Sequence, residues 1–101
     1  MIERITVWVG KDWDGFTFRL RPKTRVKLRE RFPDADMLPQ ISISFDEKSG
    51  FEAIHGPVYK YIIEMLAGVS LSEIIRVGGA RFVDAETERV IYDIREETET
   101  R

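Results

Sequence analysis

A run of cations in the first third of the chain is the feature of this sequence best suited to binding chemistry. Between positions 19 and 31 every odd-numbered residue is a lysine or an arginine. The seven residues are Arg19, Arg21, Lys23, Arg25, Lys27, Arg29 and Arg31. Cations at this density can neutralise the phosphates of a nucleic acid or another polyanion. The competing interpretation, which we favour, is a solvated face that meets the acidic part of its own chain or of a second copy.

The charge of the chain is divided between its two parts. Residues 1–31 carry nine Lys and Arg against four Asp and Glu, whereas residues 32–101 carry seven against fourteen. The first part is therefore at +5 and the second at −7, which gives the net charge of −2. Trp13, Tyr59 and Tyr61 are candidates for stacking on bases, but none interleaves with the basic run. The division favours a protein partner or a homodimer and leaves nucleic acid as an alternative.

His55 is the only histidine, and it precedes a predicted helix. An imidazole at that position can act as a general base or bind a phosphate together with the helix N-terminus. No carboxylate lies at a motif spacing from it, so His55 is a weak catalytic candidate and a turn residue is the favoured interpretation.

Two arginines surround a glycine pair after the second predicted helix. The residues of this weak anion site are Arg76, Gly78, Gly79 and Arg81. Backbone N–H groups and guanidinium groups can approach a phosphate there. The C-terminal end of a helix repels anions, however, so helix termination is the favoured interpretation.

Two Asp-x-Asp pairs are weak metal candidates: Asp12 with Asp14, and Asp34 with Asp36. Such carboxylates can hold Mg²⁺, but neither pair belongs to a longer metal signature, and turn-forming aspartates are common. The chain has no cysteine, phosphate loop, nucleophile elbow or zinc pattern. The sequence therefore predicts no cofactor.

The hydrophobic pattern predicts the elements that position these residues. Strict alternation predicts an N-terminal hairpin of strands over 2–9 and 16–21, and a third strand over 41–45. A short strand over 51–55, two helices over 57–68 and 70–77, and a C-terminal hairpin over 80–84 and 89–95 complete the prediction. Gly68 and the pair Gly78-Gly79 are expected to end the helices, and Ser70 to begin the second one.

In the segment from 22 to 32, residue types and hydrophobic periodicity predict different structures. Its residue types, the possible cap Thr24 and the stop at Pro33 favour a helix. Its period of two, with Val26 and Leu28 two positions apart, favours a strand. We favour the helix because the apolar set is small while residue preference and both boundaries agree.

The predicted fold is a single α+β domain, a mostly antiparallel sheet with two or three helices on one face. Residues 1–95 are expected to form this domain and 96–101 a frayed polar tail. No run of 18 apolar residues and no signal peptide occur, so we expect no membrane span and a cytoplasmic setting. The chain has no asparagine, a single glutamine, and 34% charged residues, a composition that either a thermophilic source or a GC-rich genome explains.

Three functional classes follow. The favoured class is a small non-enzymatic interaction or regulatory protein that acts through its charge-split surface. The alternative is a nucleic-acid-binding protein that uses Arg19–Arg31, and the second alternative is a small nuclease or hydrolase that uses His55 and loop carboxylates.

Overall fold

The computed structural model describes residues 4–44 and 54–95 of the chain. These residues form five strands and three helices. In chain order they are β1 (Ile5–Asp12), β2 (Gly15–Leu20), α1 (Pro22–Arg31), β3 (Ile41–Ser44), α2 (Gly56–Ala67), α3 (Leu71–Arg76), β4 (Ala80–Asp84) and β5 (Val90–Ile94). The tail 96–101 and most of the strand predicted over 51–55 lie outside the described residues.

The strands form one sheet in the order β3-β2-β1-β4-β5. The pairs β1–β2, β2–β3 and β4–β5 are antiparallel, whereas β1 and β4 at the centre are parallel. The α+β class and the mostly antiparallel sheet are thus confirmed. The central parallel pair was not predicted. It arises because the helical connection between the two hairpins returns β4 in the direction of β1, as a crossover does.

The segment from 22 to 31 is the helix α1, so the strand interpretation is wrong. Its proline occupies the first turn, where a missing N–H costs little. Thr24 and Leu28, four positions apart, are its buried residues. The hydroxyl of Thr24 accepts a long hydrogen bond of 3.4 Å from the backbone N–H of Thr6. One of the two buried residues of α1, Thr24, is polar. The pattern of apolar residues alone therefore does not reveal the helical spacing.

The helices α2 and α3 begin and end where the cap residues predict. Gly68 takes the left-handed φ of 74° that ends α2. The Ser70 side chain accepts a hydrogen bond from the Glu73 N–H at the start of α3. The Glu64 carboxylate accepts another from the Leu71 N–H at 2.7 Å, which ties the two helices together. Gly78 and Gly79 follow α3 with positive φ angles.

The helices cover one face of the sheet, and an aromatic cluster lies at the centre of that interface. Tyr59 of α2 stacks on Tyr92 of β5 at a centroid distance of 4.4 Å. Its ring also contacts Phe82 of β4 at 4.7 Å, and Phe18 of β2 meets both rings edge-on. This packing holds β2, β4 and β5 against α2. No described helix has the length and apolarity that crossing a bilayer requires.

Candidate nucleic-acid interface

No described element packs on the opposite face of the sheet. We call this surface the Trp8 face; its residues include Thr6, Trp8, Gly10, Thr17, Arg19, Ser42, Arg81, Val83, Val90 and Asp93. They share it because successive residues of a strand alternate between the two faces. Their neighbours in sequence on β1, Ile5, Val7 and Val9, are buried in the core.

Trp8 lies in the middle of this face, and 41% of its surface is exposed. In the register of the sheet it stands directly opposite Arg19 of β2 and Val83 of β4. Directly opposite residues of an antiparallel pair have Cβ atoms only about 4.5–5.5 Å apart. An aromatic ring therefore projects between a cation on one side and an apolar side chain on the other.

Thr6 connects the face to the start of α1. Its hydroxyl accepts a hydrogen bond from Nε of Arg81 at 3.2 Å, and its carbonyl accepts one from the backbone N–H of Arg21 at 2.9 Å. Only 3% of Thr6 is exposed, so these contacts are shielded from water. Arg81 is thereby oriented across the sheet, and the chain is led from β2 into α1.

A concavity of about 350 Å³ lies beside Trp8. Trp8, Val83 and Val90 provide its apolar walls, while Arg21, Arg81 and Glu88 provide charged groups at its border. Polar groups make up the larger part of this lining, and the apolar wall is the smaller part.

The predicted basic segment is divided among different surroundings. Arg19 lies on the Trp8 face, and Arg21 borders the concavity. Arg25 and Arg29 instead hold the loop after α1, because their Nη1 atoms donate to the carbonyl oxygens of Leu38 at 3.1 Å and Ala35 at 3.0 Å. Helical spacing of four residues places Lys23, Lys27 and Arg31 together on another side of α1. The seven cations do not form one ribbon.

The structure nevertheless brings one cation from elsewhere in the chain, Arg4, beside three cations of this segment. Arg4, Arg21, Lys23 and Lys27 border a second, narrow crevice over Ile5 and Leu28; we call these four residues the basic edge. Arg21 borders both the crevice and the concavity, so the basic edge is continuous with the Trp8 face. Arg4 is partly neutralised, because its Nη1 lies 3.0 and 2.9 Å from the two carboxylate oxygens of Asp93.

His55 is exposed at the start of α2, where its carbonyl accepts the Val58 N–H. Within the described ranges its side chain has no hydrogen bond and no ion pair. The imidazole is therefore not part of a described constellation of polar groups.

The glycine pair after α3 has its backbone donors engaged. The N–H of Gly78 donates to Ile75 at 3.1 Å and that of Gly79 to Ile74 at 2.9 Å. Arg76 lies on α3 near Glu73, at 3.9 Å, whereas Arg81 belongs to the Trp8 face. The four residues of the predicted anion site are therefore not brought together around one ligand position.

The aspartate pairs lie in two separate loops. Asp12 is the last residue of β1 and Asp14 lies in the β1–β2 turn, whereas Asp34 and Asp36 follow α1. In the parts of the chain that the structure describes, no group of three or more His, Cys, Asp or Glu side chains is arranged to hold a metal.

The aromatic residues predicted from the sequence as stacking candidates did not include Trp8. Tyr59 is buried in the core at 2% exposure, and Trp13, at 90%, lies in the β1–β2 turn. Tyr61 is exposed on α2, the helix on the other side of the sheet. The alternation of β1 already places Trp8 on the same side as Thr6, and this signal could have identified it.

The β4–β5 turn borders the concavity with acidic residues of different availability. The Asp84 carboxylate accepts the Glu86 N–H at 2.9 Å and the Thr87 hydroxyl at 3.0 Å. The hydrogen bond from the Glu86 N–H is the largest cause that lowers the pKa of Asp84 below its ordinary value; burial opposes it, and the hydrogen bonds from Thr87 add to the lowering. In contrast, no described residue donates a hydrogen bond to the Glu88 carboxylate. Glu88 is therefore the carboxylate that a ligand in the concavity would meet.

Comparison with protein-family models, curated proteins and solved structures found no match to this chain. Function must accordingly be argued from the surfaces themselves.

Proposed function

We propose that this protein is a non-enzymatic binding protein that holds single-stranded nucleic acid on the Trp8 face. The observation that carries the proposal is the half-exposed Trp8 ring in the middle of a strand surface, directly opposite Arg19 and next to Val83. Proteins that bind single strands combine aromatic rings, on which bases stack, with cations that follow the backbone.

The basic edge supplies the second half of this combination. Arg21, Lys23 and Lys27 continue from the concavity onto α1. A nucleic-acid strand with one base stacked on Trp8 can therefore place its next phosphates along these cations. The contacts between phosphates and cations release counterions, and this release favours binding. The net charge of −2 is a sum over the whole chain, whereas the crevice beside the concavity is bordered by Arg4, Arg21, Lys23 and Lys27.

A single strand suits the Trp8 face better than a duplex. Trp8 is an exposed aromatic side chain, and a base must be unpaired to stack on it. The neighbouring position Gly10 has open space where a side chain would stand, so a base is not obstructed there. A cytoplasmic setting is part of the proposal, consistent with a chain that has no cysteine.

The test is a salt titration of binding to a fluorescein-labelled single strand of about 12 nucleotides, followed by anisotropy. Trp8→Ala is expected to weaken binding about 10-fold, because stacking contributes about 1–3 kcal/mol per base. Arg19→Glu is expected to weaken it and to make it less sensitive to salt, since one phosphate contact is lost.

The matched controls are Trp13→Ala and Arg76→Glu, which change the same residue types at exposed positions outside the Trp8 face. Both are expected to retain the affinity of the wild type within about 2-fold. The proposal is overturned if the protein binds no single strand at low salt, or if the control variants lose as much affinity as the test variants.

A second copy of the chain is the alternative partner, and α2 provides the observation that favours it. Tyr61 and Met65, one helical turn apart, are 63% and 37% exposed on the side of α2 away from the sheet. The division of charge between the two parts of the chain would suit an interface with a second copy. If this surface forms a dimer, light scattering will give twice the mass of 11.8 kDa for the wild type, and Tyr61→Lys will give the monomer. A monomeric wild type at high concentration would rule the dimer out.

A further inference from the structure

We infer that the concavity beside Trp8 selects guanine among the bases of the bound strand. This inference rests on the proposed function, because it names the base that the same face would prefer. It is carried by three groups that border one concavity: an apolar wall, a carboxylate without a described hydrogen-bond donor, and an arginine that is held in place.

The apolar wall is suited to the face of a base. Trp8 of β1 lies opposite Val83 of β4, and Val83 lies opposite Val90 of β5. These three side chains therefore form a continuous row across three strands, and Val90 is 53% exposed at its end. The volume of about 350 Å³ is in the lower part of the range of small-ligand sites, about 300–1,000 Å³. A single base fits this row without displacing a strand.

The carboxylate of Glu88 is positioned at the border by an unusual backbone. Glu88 has φ 65°, in the left-handed region that residues other than glycine adopt only against steric repulsion. Its N–H donates to the carbonyl oxygen of Asp84 at 2.7 Å, which closes the turn. The Asp84 carboxylate is engaged within the turn, so Glu88 is the carboxylate at this border that remains for a base.

Guanine is the base that can use both oxygens. Its Watson–Crick edge presents two adjacent donors, N1–H and the N2 amino group, which match a carboxylate as a bidentate pair. Adenine and cytosine present one amino donor beside a ring nitrogen that accepts, and uracil presents one N–H between two carbonyl oxygens. A carboxylate repels those acceptors, so each of the other bases loses at least one hydrogen bond and gains a repulsion.

Arg81 supplies the contact for the phosphate of the same nucleotide. Its Nε is held by the hydroxyl of Thr6, which leaves the Nη groups directed by a fixed guanidinium plane. Arg21 borders the concavity beside it. Guanidinium groups bind phosphate oxygens in this forked manner. Base and phosphate would thus be bound at opposite ends of one site, with the carboxylate away from the phosphate.

The test uses Trp8 itself as the reporter. The chain has two tryptophans, so the variant Trp13→Phe leaves Trp8 as its single tryptophan, whose fluorescence is excited selectively over that of tyrosine. Quenching is measured with GMP, AMP, CMP and UMP, and with oligouridylates of about seven nucleotides that carry one guanosine, adenosine or cytidine at the centre. We expect the strand with guanosine to bind at least about 10-fold more tightly than the others, as the loss of a charged hydrogen bond predicts.

The decisive variant is Glu88→Gln. It should reduce the preference for guanosine below about 3-fold, while the affinity for oligouridylate stays equal or rises because a negative charge is removed. Glu86→Gln, at an exposed position of the same turn that does not border the concavity, should keep the full preference.

The outcomes separate this inference from the proposed function. Equal binding of all strands overturns the choice of guanine, and a guanosine preference that survives in Glu88→Gln overturns the role of Glu88. Both results leave strand binding intact. Quenching by GMP without binding of any strand overturns the proposed function and supports the guanine site. Absence of quenching by every nucleotide and every strand overturns both.

Discussion

Replacing Phe82 by alanine is expected to lower the free energy of unfolding by about 3–5 kcal/mol. Phe82 is 0% exposed and stands between Val7 of β1 and Tyr92 of β5 in the register of the sheet. Its ring contacts Tyr59 at 4.7 Å and Phe18 at 6.0 Å, in edge-to-face geometry. The substitution leaves a cavity at the contact between three strands and α2, which the surrounding rings cannot fill without losing their own geometry.

Denaturation by urea, followed by circular dichroism, measures this loss. Phe82→Leu retains most of the side-chain volume and is expected to cost less than half as much as the alanine variant. Val26→Ala, at a position of α1 that is 59% exposed, should change stability by less than about 0.5 kcal/mol. A loss below about 1.5 kcal/mol for Phe82→Ala would show that the aromatic cluster does not organise the core. Because domains of this size are stable by about 5–15 kcal/mol, the expected effect removes a large share of the total.

The faces of the strands could be predicted from the sequence because alternation depends on burial alone. Val7 and Phe18 are buried whichever strands lie beside them, so a period of two identifies their side. The partner strand of β4 could not be predicted in this way. Its five residues, from Ala80 to Asp84, carry no signal for a parallel or an antiparallel neighbour. That pairing is set by the path of the chain through α2 and α3, which no local pattern contains.

The candidate site was predicted only in part for the same reason. The alternating cations predicted a binding segment over residues 19–31. Because α1 is helical, Arg25 and Arg29 instead donate hydrogen bonds to carbonyl groups of the following loop. The cations that join Arg21 at the basic edge include Arg4, which is distant in sequence. The cations that lie together in the fold are therefore not the same set as those that lie together in the sequence. The alternation of β1 places Trp8 on the face opposite the core, so Trp8 could have been identified from the sequence. Its neighbour Arg19 could not, because that pairing depends on the register between β1 and β2.

Gly79→Ala and Gly10→Ala are expected to change stability in opposite directions, although the chemical change is the same. Gly79 has φ +84°, where a side chain costs about 1–2 kcal/mol. A Cβ there would also collide with the carbonyl oxygen of Ile94, which belongs to the neighbouring strand β5. Gly10 has nothing within 4 Å of the position of its Cβ. Alanine at Gly10 should therefore stabilise the protein by about 0.4–1 kcal/mol, because it restricts the unfolded chain.

The collision at Gly79 cannot be relieved by moving the backbone at small cost. The N–H of Gly79 donates to Ile74 at the end of α3, and its carbonyl accepts the Ile5 N–H at the start of β1, both at 2.9 Å. A shift away from Ile94 breaks one of these bonds, and the buried groups that it separates lose their partners. We therefore expect Gly79→Ala to lower the free energy of unfolding by at least about 2 kcal/mol. Urea denaturation of both variants tests the argument. Losses of equal size would mean that the left-handed turn between α3 and β4 does not control how the central parallel pair is assembled.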